Sequence, residues 1–438
     1  MEKKIDFAKV PYQYSMCLNR QCPQAGTCLR QLTEQSVPEN AAFCDDITKH
    51  VQQVEQLHVA SGTTDCTPDD TETAAYHYDT VYGMWFPYLD YGEILAGKTA
   101  DQFRDAVRQR FQQVADMGIN TVYLHLRAFG DAYYQSALFP PAKEVGDYDP
   151  FSILLEEAHQ LHLSVHGWVN PLRLQKDSAM AAMPDSYPVK QWYSDPQKNG
   201  TYLCKVGEYW WLNPAYPEVR QLVADGVAEI LAQYHVDGIH LDDYFYPTTE
   251  TAFDAAAFAD AKADDLGAFR LEQVNAMVQQ IYSTVKAASP AIQLSISPQG
   301  TMDGNYTKQY ADVRRWGTET GYCDVLIPQL YYGFANETAP FAEALQTWTE
   351  TVSSESVSLV IGIGTHKCGK EDTWAGSGSM EWCSEPTLPI RQAKLALETN
   401  GTDGVAVYDY ETTFQPDTAA DALSQIREAL GKLFRNGK

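Results

Sequence analysis

The sequence predicts an α/β protein, a (β/α)8 TIM barrel preceded by a short cysteine-bearing N-terminal extension. Two observations lead to this prediction. Short β-type runs alternate with amphipathic helical segments from residue 82 onward, and eight such units fill the chain to its end. No G-x-G-x-x-G motif follows the first run. Regular alternation of this length is typical of a parallel sheet covered by helices, and the missing glycine motif counts against a doubly wound dinucleotide-binding sheet.

The eight β-type runs are rich in β-branched and aromatic residues, which favour strands. They lie at residues 82–89, 121–127, 163–170, 236–247, 292–297, 324–331, 358–364 and 404–410. The segments between them repeat apolar residues three or four positions apart, as amphipathic helices do. Thr99 with Gln102 forms a capping box for the first helix, and Gly118 ends it. Asp149 followed by Pro150 begins the second.

The chain ahead of the barrel differs in composition. Residues 1–44 are predicted to be a cysteine-bearing leader, residues 45–80 an acidic polar linker, and residues 81–438 the barrel. Five of the nine cysteines fall in the first 66 residues, but their spacing lacks the C-x-x-C pair common in zinc sites. Free thiols or a small local disulfide are therefore favoured over a metal site.

Net charge and hydropathy restrict the classes of partner. The chain carries 58 acidic against 32 basic residues, a formal net charge of -26. Such a field repels phosphates, so neither nucleic acid nor an anionic membrane surface is expected as a partner. No apolar run reaches the roughly 18 residues of a membrane span, and no signal peptide is visible behind the first basic residues. The 27 tyrosines and nine tryptophans supply rings that suit sugar faces as well as cores.

The stretch at residues 236–247, VDGIHLDDYFYP, is the strongest candidate for chemistry. Alternation along a strand puts His240 and Asp242 on one face and Ile239 and Leu241 on the other. A buried carboxylate costs several kcal/mol unless it is paired or faces water. Asp242 is therefore predicted at the open carboxyl end of the strand, where barrel proteins keep their chemistry.

Polar and aromatic side chains collect at the carboxyl ends of the other predicted strands as well. The predicted substrate-binding residues are His125, Arg127, His166, Trp168, Asn170, Arg173, His240, Tyr244, Tyr246, Gln299, Gln329, Tyr331, Tyr332 and His366. Amides, arginines and rings on one face suit the hydroxyls and apolar faces of sugars, so the expected partner is a polysaccharide or oligosaccharide. Metal binding by the histidines with Asp242 is geometrically conceivable, but no H-x-H or H-E-x-x-H motif favours it, and no cofactor or metal is expected.

Several of these runs also resemble a known family. GMWFPYLDY, INTVYLHLRAFGDAYY, HGWVNPLR, DGIHLDDYFYP, LSISPQG and YCDVLIPQLYYGF, in this order within residues 80–432, are similar to the glycosyl-hydrolase-like family 10 proteins, which include bacterial cell-wall glycan hydrolases. The resemblance implies a barrel that acts on glycosidic bonds, with peptidoglycan glycan strands as an expected substrate. Since members are usually exported, it also implies a place in the cell envelope or outside the cell. The motif at 236–247 resembles those of other barrel glycosidases as well, and many of these place a catalytic aspartate where Asp242 stands.

Glycoside hydrolysis requires one carboxyl group to protonate the leaving oxygen and a second to attack or stabilise the oxocarbenium-like centre. Asp242 is predicted as nucleophile or stabiliser, and Asp243 as the acid or as the partner of a cation. Adjacent strand residues point apart, however, so the second carboxylate has alternatives on loops: Asp131, Asp303, Asp409 and Glu411. A 2-acetamido group on the substrate is another candidate nucleophile.

Two functions from other classes remain open on the sequence. One is a non-catalytic glycan-binding barrel, which would keep the cleft and lack the acid. The other is a metal-dependent deacetylase or phosphoesterase, in which the polar residues would hold an ion. Glycan binding without reducing-end release would identify the first, and metal analysis of the purified protein the second.

Overall fold

The computed structural model describes residues 75–436. The predicted leader (1–44) and residues 45–74 of the predicted linker lie outside the described residues, and so do the five N-terminal cysteines. The other four, Cys204, Cys323, Cys368 and Cys383, are free thiols.

The strands form a closed parallel barrel and one small separate sheet. They are β1 Val81–Phe86, β2 Thr121–Arg127, β3 Ser164–Val169, β4 Arg173–Lys176, β5 Leu203–Val206, β6 Tyr209–Leu212, β7 Gly238–Leu241, β8 Gln293–Ile296, β9 Val325–Leu326, β10 Ser358–Gly364 and β11 Gly404–Tyr408. The barrel closes in the order β1-β11-β10-β9-β8-β7-β3-β2, and neighbouring strands in it run parallel. The predicted (β/α)8 barrel is confirmed.

Helices follow the barrel strands as the apolar spacing predicted. They are α1 Tyr91–Ile94, α2 Ala100–Met117, α3 Pro150–Gln160, α4 Asp177–Ala182, α5 Pro188–Ser194, α6 Pro217–Gln233, α7 Ala255–Ala261, α8 Leu266–Ala288, α9 Met302–Gly304, α10 Val313–Thr318, α11 Phe341–Thr351, α12 Glu381–Ser384, α13 Leu388–Glu398, α14 Tyr410–Phe414 and α15 Ala420–Asn436. Short 3-10 turns lie at Tyr88–Asp90, Thr251–Phe253 and Gly376–Gly378, and a π segment at Asn305–Gln309. Between residues 75 and 436, no helix has the length and apolar character that crossing a membrane requires.

The predicted ends of α2 and the predicted start of α3 are confirmed by their hydrogen bonds. Thr99 and Gln102 form the reciprocal capping box, and Gly118 ends α2 with a φ of 90°, a conformation that glycine adopts without strain. Asp149 accepts hydrogen bonds from the first backbone N–H groups of α3, next to Pro150. Local sequence therefore sets where these helices begin and end.

The barrel interior is filled with large side chains. Its cluster consists of Trp85, Tyr123, Trp168, Val325, Ile327, Val360 and Ala406, all buried. A second and larger apolar layer lies between the strands and the outer helices. Because the lumen is packed, ligands can reach the barrel only at its ends, and the polar residues that follow the strands lie at the carboxyl end.

Two features depart from eight regular strands. β9 has two residues in the ladder, because Pro328 lacks the N–H group that would continue it. Gln329 resumes the pairing through isolated bridges to Gln299 and Gly362. The sheet β4-β6-β5 is antiparallel and is inserted after β3, so it follows the carboxyl end of a barrel strand. The sequence analysis did not predict this sheet.

Candidate active site

Asp242 directly follows β7, at the carboxyl end of the barrel. Its side chain is buried, with 7% of the residue exposed. Both of its hydrogen bonds reach the same oxygen: Oδ1 accepts from the Gln329 amide at 3.0 Å and from the Asp243 backbone N–H at 2.8 Å. Gln329 is itself held by a second bond, from its Nε2 to the Ser297 carbonyl at 3.1 Å. Asp242 is thus fixed by the neighbouring strand ends, with Oδ2 left without a protein donor among the described residues.

The electrostatics around Asp242 favour its protonated form. Burial raises the pKa of this carboxyl well above its ordinary value, and the neighbouring charge of Asp243 raises it further. The hydrogen bonds from the Asp243 N–H and from Gln329 lower that pKa in part. No ion pair in the described part of the chain includes Asp242 or Asp243. Asp242 therefore has no ion-pair partner within 4.0 Å among the described residues, and its carboxyl retains a proton more readily than a free aspartate does.

One wall beside this pair is built from Arg173 and aromatic rings. The guanidinium carbon of Arg173 lies 4.5 Å from the ring centres of Phe129 and Tyr209 and 4.7 Å from that of Tyr244. Trp211 stands behind, with its ring centre 6.1 Å from that of Tyr244. The inserted sheet supplies Arg173, Tyr209 and Trp211, so it completes the wall that Tyr244 begins.

The opposite wall is a cluster of three rings from the ends of β9, β10 and β11. The ring centres of Tyr331 and His366 lie 5.1 Å apart, those of Tyr331 and Tyr408 5.5 Å apart, and those of His366 and Tyr408 5.3 Å apart. Burial lowers the pKa of His366 to about 4, so this ring is neutral at pH 7. Tyr332 stands next in the chain, and burial and then the charge of Asp243 raise its pKa to about 12. Tyr331, Tyr332 and His366 are thus brought to the mouth.

The ends of β2 and β3 form a third, rigid part of the mouth. His125 stacks on Trp168 with ring centres 3.7 Å apart. The Trp168 indole N–H donates to Asn170 Oδ1 at 3.0 Å, and Asn170 Nδ2 donates to the Ala128 carbonyl at 3.1 Å. Burial holds the pKa of His125 well below its ordinary value, and its Nε2 has no hydrogen-bond partner in residues 75–436. All three side chains, His125, Trp168 and Asn170, are only 2 to 3% exposed, so their contact with substrate stays a prediction.

His166 and His240 lie below the mouth rather than on its surface. Both are buried, and both bind the same hydroxyl, Ser295 Oγ, through Nδ1 at 2.9 and 2.8 Å. His240 Nε2 accepts from the Trp85 indole N–H at 3.0 Å. Burial lowers the pKa of His166 to about 4. The expectation that these two histidines contact substrate does not fit this placement, because both lie in the barrel interior and bind Ser295 there.

Arg127 is also placed away from the mouth. The register of β2 against β3 shifts between His125 and Arg127, so that the backbone of Arg127 pairs with that of Val169. This bulge turns the side chain of Arg127 to the outer face of the barrel. The guanidinium carbon lies 4.3 Å from the ring centre of Phe139. It also lies close against Gly226 of α6, where a Cβ atom in place of the glycine hydrogen would be 2.3 Å from Nη1. Arg127 is expected at the mouth because it ends a predicted strand, but the bulge places it between the barrel and the helices.

Tyr246 belongs to a separate buried network. Its hydroxyl donates to Asp254 Oδ2 at 3.0 Å. Arg270 donates to both oxygens of Asp254, from Nε at 2.8 Å and from Nη2 at 2.7 Å. Tyr246 is therefore occupied in fixing the segment after β7, and the expectation that it contacts substrate does not fit this placement. Gln299 is half-buried and bridges to Gln329 through its backbone, which keeps it beside the mouth.

The loop carboxylates considered as alternatives occupy different environments. Asp131 accepts from the Phe129 N–H at 2.9 Å and from the Gln175 amide at 3.1 Å. Asp409 caps α14 by accepting from the N–H of Thr412 at 3.0 Å. The remaining two, Asp303 and Glu411, are exposed. Asp243 is the carboxylate that the structure places directly beside Asp242.

Asp90 is a buried carboxyl that the sequence analysis missed. It follows β1, 6% of the residue is exposed, and neither carboxylate oxygen has a hydrogen-bond partner in the described part of the chain. Burial and then the charges of Asp409 and Glu411 raise its pKa to about 9. An aspartate after a predicted strand was the available signal, but its burial depends on α14, from the far end of the chain. Within residues 75–436, no three His, Cys, Asp or Glu side chains are arranged to hold a metal ion.

Comparisons with known proteins agree with this geometry. Residues 83–375 match the family described as Glycosyl hydrolase-like 10, and residues 1–68 match a Family of unknown function (DUF6078). The chain is 29% identical over 312 residues to Glycosyl hydrolase YngK of Bacillus subtilis (strain 168), covering 64% of this chain and 59% of that protein. It is 27% identical over 312 residues to Glycosyl hydrolase DigH of Escherichia coli (strain K12), covering 63% of this chain and 70% of that protein.

Among solved structures, the PgaB (BpsB) glycoside hydrolase domain from Bordetella bronchiseptica has the same fold. The two superimpose with a TM-score of 0.52 at 12% identity, over 80% of this chain and 98% of that one. The chain spans less than two thirds of the length of the Bacillus relative. The family match covers the strands from β2 to β10 and every residue of the walls described above except Tyr408, so the chain belongs to the glycosyl hydrolase-like 10 family.

Proposed function

We propose that the chain is a glycosidase that cleaves a polysaccharide, with bacterial peptidoglycan glycan strands as its substrate, by carboxyl chemistry at the barrel mouth. The observation that carries this proposal is the Asp242–Asp243 pair at a strand end, with Asp242 buried, Asp243 half-buried and no cation of the described residues within 4.0 Å of either. Burial of charge without compensation is costly, and such sites concentrate where a perturbed pKa is used. The family, and relatives named as glycosyl hydrolases, support the reaction class.

The geometry suggests how the pair divides its roles. Asp242 Oδ1 takes both hydrogen bonds, so Oδ2 is the oxygen available to the anomeric carbon of a bound sugar. In this position Asp242 attacks or stabilises the oxocarbenium-like centre. Asp243 is half-buried beside it, and a proton held by the pair is available to the leaving oxygen. The rings on both walls stack on the sugar faces and keep water from the pair.

A substrate with a 2-acetamido group allows a second route. Its carbonyl oxygen attacks the anomeric carbon, while Asp242 orients the amide N–H and Asp243 protonates the leaving oxygen. Both the acetamido route and direct attack by Asp242 retain the anomeric configuration, whereas attack by water inverts it. Proton NMR of the first product formed therefore separates inversion from the two retaining routes.

The test is incubation of the protein with peptide-free peptidoglycan glycan strands, followed by reducing-end assay and mass spectrometry of the products. We expect shortened strands and new reducing ends, with no loss of activity after treatment with EDTA. Binding of strands without new reducing ends would instead favour a glycan-binding barrel. Release of acetate or phosphate that EDTA abolishes would favour the metal-dependent alternative, and either result would overturn the proposal.

A further inference from the structure

The guanidinium of Arg173 is held by rings rather than by an acidic residue. Three ring centres lie 4.5 to 4.7 Å from its Cζ, those of Phe129, Tyr209 and Tyr244. No carboxylate of the described residues comes within 4.0 Å of it, although the whole chain has 26 more acidic than basic charges. Its Nε is buried and has no hydrogen-bond partner in residues 75–436. Arg173 therefore carries a positive charge that no carboxylate of the described residues contacts directly.

This charge lies beside the candidate catalytic pair. Tyr244 is two residues beyond Asp242, and its ring contacts the guanidinium of Arg173. The hydroxyl of Tyr244 is close enough to Asp242, Asp243 and Arg173 for all three charges to act on its pKa, which burial raises to about 12. Arg173 also acts on His125, whose pKa its charge lowers after burial. Arg173 thus faces the same mouth as the two carboxyls.

A guanidinium held between aromatic rings favours one chemical class of ligand. Aromatic faces hold a guanidinium by stacking while its N–H edge stays free for hydrogen bonds. That edge matches the two oxygens of a carboxylate, and the resulting charge-assisted bonds are about twice as strong as neutral ones. An acidic residue in place of the rings would have accepted hydrogen bonds from these N–H groups. The rings position the cation and leave its charge available to a ligand.

We propose that Arg173 recognises a carboxylate carried by the glycan, so that the substrate is an acidic polysaccharide; this rests on the proposed glycosidase function. The carboxylate is bound by the N–H edge of Arg173, and the sugar ring that carries it stacks on Tyr209 or Tyr244. Two sources supply this chemistry, a lactyl ether on an amino sugar and a uronic acid. Neutral sugars would occupy the same mouth without this ion pair.

The test compares substrates that differ in charge alone. Peptide-free peptidoglycan strands with free lactyl carboxylates are set against the same strands converted to methyl amides, and hyaluronate oligosaccharides supply the uronate arm. We measure dissociation constants by calorimetry together with kcat and KM from reducing-end release. Wild-type protein is expected to bind and process the free acid roughly tenfold better than the amide, which corresponds to about 1.4 kcal/mol.

The variants are Arg173→Gln, Arg173→Lys and, as the control on the outer helix α15, Lys432→Gln. Arg173→Gln is expected to raise the KM and Kd for the free acid roughly tenfold more than those for the amide, so that the preference for the acid is lost. Arg173→Lys restores part of the selectivity, since a lysine keeps the charge and loses the bidentate fit. Lys432→Gln, which removes an exposed pair with Glu428, is expected to change the KM and Kd of neither substrate.

Two outcomes would overturn the inference. One is wild-type protein that does not distinguish acid from amide, and the other is an Arg173→Gln variant that loses both substrates equally, as a merely structural arginine would. Binding and cleavage are scored separately so that this inference and the proposed function fail separately. Acid-selective binding without any cleavage overturns the glycosidase proposal alone, whereas cleavage of acid and amide at equal rates overturns the role of Arg173 alone.

Discussion

Two buried aspartates lie twelve positions apart in the segment after β7, and their surroundings differ. Asp254, 2% exposed, receives two hydrogen bonds from Arg270 and one from the hydroxyl of Tyr246. Asp242, 7% exposed, receives two hydrogen bonds, one from the side-chain amide of Gln329 and one from the backbone N–H of Asp243. A buried carboxylate is thus fully compensated at one position and left without a cation at the other.

The difference separates a structural role from a chemical one. At Asp254 an arginine donates to both carboxylate oxygens, so the carboxylate is satisfied by a cation and held in a fixed place. Without a cation, burial and Asp243 raise the pKa of Asp242, so its carboxyl can exchange a proton with a ligand. Compensation by a cation, more than burial, is therefore what distinguishes the two sites.

The largest effect on stability is expected at Asp254. Asp254→Ala leaves the guanidinium of Arg270 buried without its partner, and we expect the free energy of unfolding to fall by about 3–5 kcal/mol. Urea denaturation followed by circular dichroism measures this change. The double variant Asp254→Ala with Arg270→Leu removes both charges and should recover much of the loss. A fall below about 1 kcal/mol in the single variant would show that the network is not structural.

The next effect is on the pH dependence of activity. Gln329→Leu removes a hydrogen bond that lowers the pKa of Asp242. That pKa therefore rises, and the acidic limb of the kcat/KM profile moves to higher pH, with kcat/KM at neutral pH falling by about 10- to 100-fold. Gln346→Leu, which changes an exposed glutamine on α11, is the matched control. An unchanged pH profile in Gln329→Leu would contradict the role given to this hydrogen bond.

Asp90 tests a third arrangement: a buried carboxyl with no hydrogen-bond donor among the described residues, where the charge of Arg110 only partly offsets those of Asp409 and Glu411. Its folded-state pKa of about 9 exceeds the unfolded value, so between these two values the folded protein holds a proton that the unfolded chain has lost. The free energy of unfolding contributed by Asp90 therefore falls as pH rises from about 4 to 9, by about 1.4 kcal/mol per pH unit. Asp90→Asn should remove this part of the pH dependence, which is obtained from the free energies of unfolding measured by denaturation at pH 6, 7 and 8. An equal pH dependence of the unfolding free energy in variant and wild type would contradict the raised pKa.

The smallest change in stability is expected at Asp242. Asp242→Asn is nearly isosteric and removes both the desolvation of a charge and its repulsion by Asp243, so the free energy of unfolding should stay within about 1 kcal/mol of wild type or rise. Asp254→Asn, which weakens a compensated site, is the matched comparison and should be clearly less stable. Equal destabilisation by the two asparagines would remove the distinction between the sites.

Much of the fold was predictable because its determinants are local. Strands of β-branched and aromatic residues, helices of regular apolar spacing and caps such as Thr99 and Asp149 can be recognised within a few residues. Since parallel strands of a barrel share one carboxyl end, the sequence also predicted that Asp242, Gln329 and Tyr331 would meet there. The placement of this part of the site follows from topology once eight strands are recognised.

The rest depends on contacts between distant segments. Arg127 was predicted to face the mouth, and the β2–β3 bulge that turns it away is a property of two strands together. His240 obeys strand alternation, yet Trp85 and Ser295 cover it. Tyr246 donates to Asp254, which Arg270 of α8 also binds, and the sequence near Arg270 does not indicate this network. Alternation predicts the face of a side chain, but not its depth or its partners.

The most direct test of the central claim is the rate of reducing-end release from peptide-free glycan strands by Asp242→Asn, at the same concentration of folded protein as wild type. We predict that turnover falls by about 10²- to 10⁴-fold while the thermal midpoint is unchanged or higher. A variant that cleaves the strands at the wild-type rate would show that Asp242 does not take part in the reaction.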